Sequence, residues 1–120
     1  MTKSNSLFQK LYDIFENWDE EAFRNHHHED FMHLQETDVL NRDEHVKVIS
    51  ELATKPGWNW HKIAKCVYED KYCSIIRWED NGEIVTHIST LKNDQVWRAV
   101  ISKVPKASSD QQPNVASDGL

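Results

Sequence analysis

The sequence predicts one α+β domain, with helices in the N-terminal half packed on a mostly antiparallel sheet built by the C-terminal half. Three observations predict it. Apolar residues recur at helical spacing up to Lys55. From Trp58 onward they fall into runs rich in β-branched and aromatic residues, separated by turn signals. The length of 120 residues and a hydrophobic content of 38% suit one compact unit with one core.

Each element has its own warrant. Ser6 is a helix cap, and Leu7, Leu11, Phe15 and Trp18, with Phe8 and Tyr12 beside them, form one apolar stripe. Asp19 starts a second, short helix whose first turn holds Glu20 and Glu21, where the helix dipole favours acids. Ala22, Phe23 and His26 or His27 share its inner face. The triple histidine His26-His27-His28 reads as the end of this helix, a position that favours cationic imidazole. Phe31 to Gln35 reads as a short strand. Asn41 caps a third helix over Arg42 to Lys55, with His45, Val46, Ile49, Leu52 and Ala53 as its stripe and Pro56-Gly57 as its stop. Four strands follow: Trp60 to Tyr68, Tyr72 to Glu79, Ile84 to Leu91 and Val96 to Val104. Asn81-Gly82 is a strong hairpin signal, and Asn93-Asp94 marks a second turn.

A two-residue loop at Asn81-Gly82 pairs Trp78 with Val85 and Ile76 with His87. Ser74, Ile76 and Trp78 then share a face with Val85, His87 and Ser89, and a two-residue loop at Asn93-Asp94 adds Val96, Arg98 and Val100. The other face carries Cys73, Ile75, Arg77, Ile84, Thr86, Ile88, Trp97, Ala99 and Ile101. Both faces are substantially apolar, and one helical layer covers only one of them. A homodimer through the second face is therefore expected. A one-residue slip in either turn would exchange the faces.

Composition excludes several classes. A formal charge of −6 speaks against a phosphate-backbone binder, so no nucleic-acid partner is expected. No long apolar run marks a membrane span, and the N-terminus leads into an amphipathic pattern, unlike a signal peptide. Two cysteines, Cys66 and Cys73, are too few for a disulfide scaffold, and a cytoplasmic location is expected. The domain is expected to span residues 1–105 and a disordered tail residues 106–120.

The element order, together with Glu16-Asn17-Trp18-Asp19, Asp30-Phe31-Met32-His33-Leu34, Asn41-Arg42-Asp43-Glu44-His45-Val46 and Val96-Trp97-Arg98-Ala99-Val100, resembles the NTF2-like superfamily. Within it the chain is most similar to SnoaL-like and ketosteroid-isomerase-like small proteins. The resemblance covers roughly residues 6 to 104 and implies a cone: three helices and a curved sheet around a pocket open at one end. It marks a fold that hosts isomerases, polyketide cyclases, dehydratases, hydrolases and non-catalytic modules. Ketosteroid isomerases use a helix-one tyrosine, an aspartate base at the end of the first strand and a protonated acid on a later strand. Tyr12 matches the tyrosine, but the base position falls near His33 to Gln35 and the later acid near His87 or Ile88. The acid that polyketide cyclases carry on the last strand has no counterpart between Val96 and Val104.

The chemical candidates follow. His33 and His87 are the candidate catalytic pair, since an unperturbed imidazole titrates near neutral pH. Tyr12, Trp60, Trp78 and Arg98 are candidate ligand contacts, with Tyr12 or Arg98 placed to stabilise developing negative charge. No metal and no other cofactor is expected: the His-Glu-x-x-His signature is absent, consecutive residues do not converge on one ion, and no Gly-rich phosphate loop is present. The leading function is binding of a small, largely apolar organic molecule, with cofactor-free acid/base catalysis as its enzymatic form. The alternative is a non-catalytic ligand-binding or dimerisation module.

Overall fold

The computed structural model describes residues 6–106. Of the tail expected over residues 106–120, all but Lys106 lies outside the described residues. In chain order the elements are α1 (Leu7–Glu16), α2 (Glu20–Asn25), β1 (His27–Gln35), β2 (Asp38–Asn41), α3 (Arg42–Ala53), α4 (Trp60–Ile63), β3 (Lys65–Glu69), β4 (Cys73–Asp80), β5 (Glu83–Lys92) and β6 (Gln95–Pro105).

The three caps read from sequence hold. The Ser6 side chain accepts from the Gln9 amide, Asp19 from Ala22, and Asn41 from Glu44, whose own carboxylate accepts from the Asn41 amide. Each satisfies amides that the first helical turn leaves without partners. The N-terminus of α1 has a second anchor from far along the chain: the Glu69 carboxylate accepts from the Leu7 amide at 2.8 Å. This ties α1 to the last residue of β3.

The strands form one sheet in the order β2-β1-β6-β5-β4-β3. All neighbours are antiparallel except β1 and β6, which run parallel. The sheet is curved and not closed. Register shifts between His27 and Met32, between Cys66 and Tyr68, and between Thr90 and Leu91 are the points where extra residues bend it. The helices lie on the concave face. Leu11, Phe23, Val46, Ala64 and Ile76 form the main core, and Phe31, Val96 and Ala99 a second one near the start of β1 and β6.

Four expectations need correction. The triple histidine is not a helix end: His26 closes α2, and His27 and His28 already belong to β1, so this strand starts four residues before Phe31. The run from Trp60 is not strand throughout, because Trp60–Ile63 make a helical turn before β3. Strand β2, a hairpin partner of β1 reached through Glu36-Thr37, carries no apolar alternation strong enough to announce it. The fourth correction concerns Arg98. The Asn81-Gly82 turn pairs Trp78 with Val85 and Ile76 with His87 as expected, and Leu91 does face Val96. The bulge then intervenes, so that Thr90 pairs with Arg98 and Ser89 with Ala99. The extra residue moves Ala99, Ile101 and Lys103 to the concave side, and puts Arg98 and Val100 on the convex side.

Candidate functional site

Between the helices and the concave face lies a cavity of about 460 Å³. Its axis follows β1 and β6, which run side by side in one direction. One end is walled by buried residues: His26, His27, Phe23, Ser89 and Val96. At the other end stand Val48, Asp80 and Lys103, which are exposed. Aromatic rings make the middle. Phe15 contacts Trp58 edge-on with ring centroids 5.1 Å apart and Trp60 at 5.5 Å, and Trp60 meets Trp78 at 5.2 Å.

Five imidazoles line this cavity, and they form a continuous row. Ring centroids are 5.3 Å apart from His26 to His27, 5.2 Å from His27 to His45, 4.9 Å from His45 to His33, and 5.7 Å from His33 to His87. Each comes from a different local logic. His26 is the C-cap of α2; His27 and His33 lie on the inward face of β1 with Phe31; His45 is on the apolar stripe of α3; His87 faces inward from β5, paired with Ile76. Phe31, 1% exposed, supports the row from below, with His27 at 4.7 Å and His45 at 5.1 Å.

Burial decides their charge. Desolvation holds His26 down to about 4, His45 to about 3 and His87 to about 4, and pushes His27 well below the ordinary histidine value. Desolvation lowers His33 too, against an opposing hydrogen bond that its ring donates to the Gln35 side chain. The neighbouring imidazoles reinforce the shift, because a second positive charge beside a first is repelled. At neutral pH the row is therefore uncharged, and each ring has one nitrogen with a free lone pair. For His27 the tautomer is fixed: Nδ1 lies 2.8 Å from the Phe23 carbonyl, which only accepts, so Nδ1 carries the hydrogen and Nε2 the lone pair. The Nδ1 atoms of His33 and His87 are buried with no protein partner among the described residues.

Among the described residues no carboxylate lines the histidine end, and Asp80 is the only one on the cavity wall, at the opposite end. His33 and His45 stack at an interplanar angle of 23°, and His33 and His87 at 21°. These rings present faces to one another, not nitrogens converging on a point. Among the described residues no group of three or more His, Cys, Asp or Glu side chains is arranged to hold a metal ion.

The candidates named from sequence divide cleanly. His33, His87, Trp60 and Trp78 line the cavity. Tyr12 does not. The inward residues of α1 are Leu7, Phe8, Leu11 and Phe15, and Tyr12 sits one step round the helix, edge-on to His61 at 4.9 Å. That imidazole belongs to α4, the helical turn missed in the sequence, and bonds the Glu16 carboxylate at 2.8 Å. Arg98 lies on the convex face over the Trp97 ring, 4.0 Å from its centroid, and donates to the Asp30 carbonyl. His26, His27 and His45 are the residues that sequence reasoning left out of the site. The signal for His45 is an imidazole inside an otherwise apolar helical stripe. The signal for the other two is an unbroken polar run beside Phe23.

No protein-family model matches the chain, and no curated protein sequence matches it. Solved structures do. An NTF2-like protein of unknown function from Burkholderia xenovorans aligns with a TM-score of 0.59 at 12% identity, over 95% of this chain and 90% of that one. One from Cytophaga hutchinsonii gives 0.57 at 12% identity, over 83% and 88%. A protein from Silicibacter pomeroyi described as having a cystatin-like fold gives 0.57 at 11% identity, over 87% and 77%. Likeness at these identities is a likeness of backbone, and it matches the order and packing of the elements described above: the chain has the NTF2-like fold.

Proposed function

We propose that the protein binds a small, largely apolar organic molecule in the cavity between its helices and the concave face of its sheet. The observation that carries this reading is the lining: aromatic and aliphatic walls, with polar groups gathered at one end as a row of uncharged imidazoles. A cavity of a few hundred Å³ with mostly apolar walls and a few convergent polar groups is the usual form of a small-molecule site. The apolar walls supply affinity through removal of ligand surface from water, and the imidazoles orient the polar group.

The enzymatic form of this reading is cofactor-free proton transfer. His33 and His87 present two neutral rings in face contact, and a neutral imidazole acts as a general base at physiological pH. The ring that takes a proton from a ligand becomes imidazolium and can return that proton at another position of the ligand, which is the chemistry of isomerisation, cyclisation or dehydration.

Trp58, Trp60 and Trp78 stand on the wall, so binding is readable in intrinsic fluorescence. Titration with a panel of bicyclic and tricyclic aromatic ketones and phenols is expected to change the tryptophan emission saturably with at least one compound. The His33→Ala plus His87→Ala variant should bind that compound more weakly. A panel that leaves the emission of the folded protein unchanged contradicts the reading.

A second observation favours assembly as well. Met32, Leu34 and Val100 are exposed together on the convex face, each being 37% or more accessible, and Ile75 and Ile88 belong to the same face. This apolar surface is suited to a second copy of the chain. Sedimentation equilibrium is expected to give a dimer, and Val100→Lys a monomer with an unaltered circular dichroism spectrum. A monomeric wild-type protein at tens of micromolar would remove the dimer.

A further inference from the structure

We infer that the buried end of the cavity is a head-group site for an organic acid, whose carboxylate is held at the His33–His45–His87 stretch of the imidazole row while its apolar body lies against the tryptophans. The inference rests on the binding reading above and specifies the ligand class of the same site.

The histidine end of the cavity carries one kind of titratable side chain. Its titratable side chains are His26 from the end of α2, His27 and His33 from β1, His45 from α3 and His87 from β5. Among the described residues no Asp, Glu, Tyr or Cys joins them there, so the one kind of charge these residues can give this end is positive. The wall's other charged groups, Asp80 on β4 and Lys103 on β6, stand at the exposed end. The Lys10 ammonium of α1 acts on His26 from outside the cavity and adds positive potential. A site whose only available charge is positive complements an anion, and opposes a cationic amine.

Five neighbouring rings, 4.9 to 5.7 Å apart, have few acceptors for their ring protons: the Phe23 carbonyl serves His27 and the Gln35 side chain serves His33. Buried polar groups without partners are costly, and the unpartnered Nδ1 atoms of His33 and His87 are two such groups. A carboxylate offers about four lone-pair sites to such donors. It also removes the obstacle to charging a ring. Desolvation keeps these imidazoles neutral when the cavity holds no counter-charge, whereas an ion beside them favours imidazolium. A carboxylate entering from water therefore brings one proton from solvent with it. The bound pair is imidazolium and carboxylate, equivalent in composition to imidazole and carboxylic acid. The proton taken from solvent sits on the ring whose nitrogen faces the ligand oxygens.

A neutral ester of the same body lacks this coupling, which makes the proposal measurable. Three carboxylic acids of graded shape (2-naphthoic, 4-phenylbenzoic and decanoic), each beside its methyl ester, are titrated into the full chain by calorimetry at pH 6 and pH 8 in two buffers of different ionisation heat. At least one acid should bind more tightly than its ester at pH 6, with uptake of about one proton. Its affinity should weaken toward pH 8 by about tenfold per pH unit while that proton is taken up. His33→Gln and His87→Gln should abolish the preference for the acid over its ester together with the proton uptake; measurable ester binding also shows that the variants fold. Esters that bind as well as or better than the acids, with no proton uptake, overturn the head-group assignment and leave the apolar pocket standing. An acid preference without proton uptake, insensitive to both glutamine variants, places the carboxylate at Lys103 and also overturns it. Binding of neither series overturns this inference and the pocket reading together.

Discussion

At the scale of single residues, the histidines define both the site and the acid sensitivity of the fold. An imidazole whose native value lies below its unfolded value of about 6.5 binds fewer protons folded than unfolded as pH drops through that range. Stability is therefore complete above about pH 6.5 and declines as pH falls toward the native values, which are about 4 for His26 and His87 and about 3 for His45. For His26 and His87, held at about 4, the loss is about 2 kcal/mol each at pH 5. A small domain has about 5–15 kcal/mol in all. Urea unfolding between pH 8 and pH 5 should show midpoints that fall steadily below pH 6.5. His45→Phe, which keeps the stacking surface and removes one titration, should flatten the decline. A midpoint constant to pH 5 would mean that the rings are protonated in the folded state. This dependence was only half legible in the sequence. His33 and His87 are readable from strand alternation and the Asn-Gly register, because both rules are local. That His26 and His27 are neutral and buried depends on where α2 ends, and one residue of error there turns buried rings into a solvated helix terminus.

At the scale of elements, caps and turns carried the prediction, and bulges limited it. Ser6, Asp19 and Asn41 cap helices as their residue types require, and the Asn81-Gly82 turn sets the β4–β5 register over eight residue pairs. Asn81 and Gly82 have φ of 51° and 81°, the left-handed conformation that this short hairpin needs. Helix α3 is the element most important to the site, since it carries His45, Ile49 and Leu52 into the cavity wall. Its capping box is its most local support. Asn41→Ala should lower stability by about 1 kcal/mol, read as a shift in denaturant midpoint at unchanged slope. An unchanged midpoint would show that packing of α3 on β1 dominates its N-terminus. The bulge at Thr90/Leu91 exemplifies what sequence does not reveal. It depends on how β6 must bend to run beside both β5 and β1, a long-range constraint with no signal in Val96-Trp97-Arg98. Its consequence is large, because it moves Arg98 out of the site and Lys103 in. Helix α4 was missed for a related reason: Trp60-His61-Lys62-Ile63 suits strand or helix alike, and tertiary contacts of Trp60 and His61 decide the matter.

For the whole molecule, the same sheet serves two purposes. Its concave face and the helices enclose the cavity, while its convex face presents Met32, Leu34 and Val100 to the outside. The bends that let one sheet wrap a cavity also separate these two faces. No helix among the described residues is long and apolar enough to cross a membrane. The fold class was legible because it follows from element order and periodicity. The cavity contents required three-dimensional convergence of α2, β1, α3 and β5, elements up to sixty residues apart in sequence. The central claim is that the imidazole row is the polar end of a ligand cavity. Its most direct test is nitrogen NMR of the histidine rings during titration with an aromatic or aliphatic ligand found to alter tryptophan emission. Shifts are expected at His33, His45 and His87, with His28 and His61 unmoved, since neither of these lines the cavity. Ligand-saturated protein in which His33, His45 and His87 keep their free-state resonances would contradict the central claim.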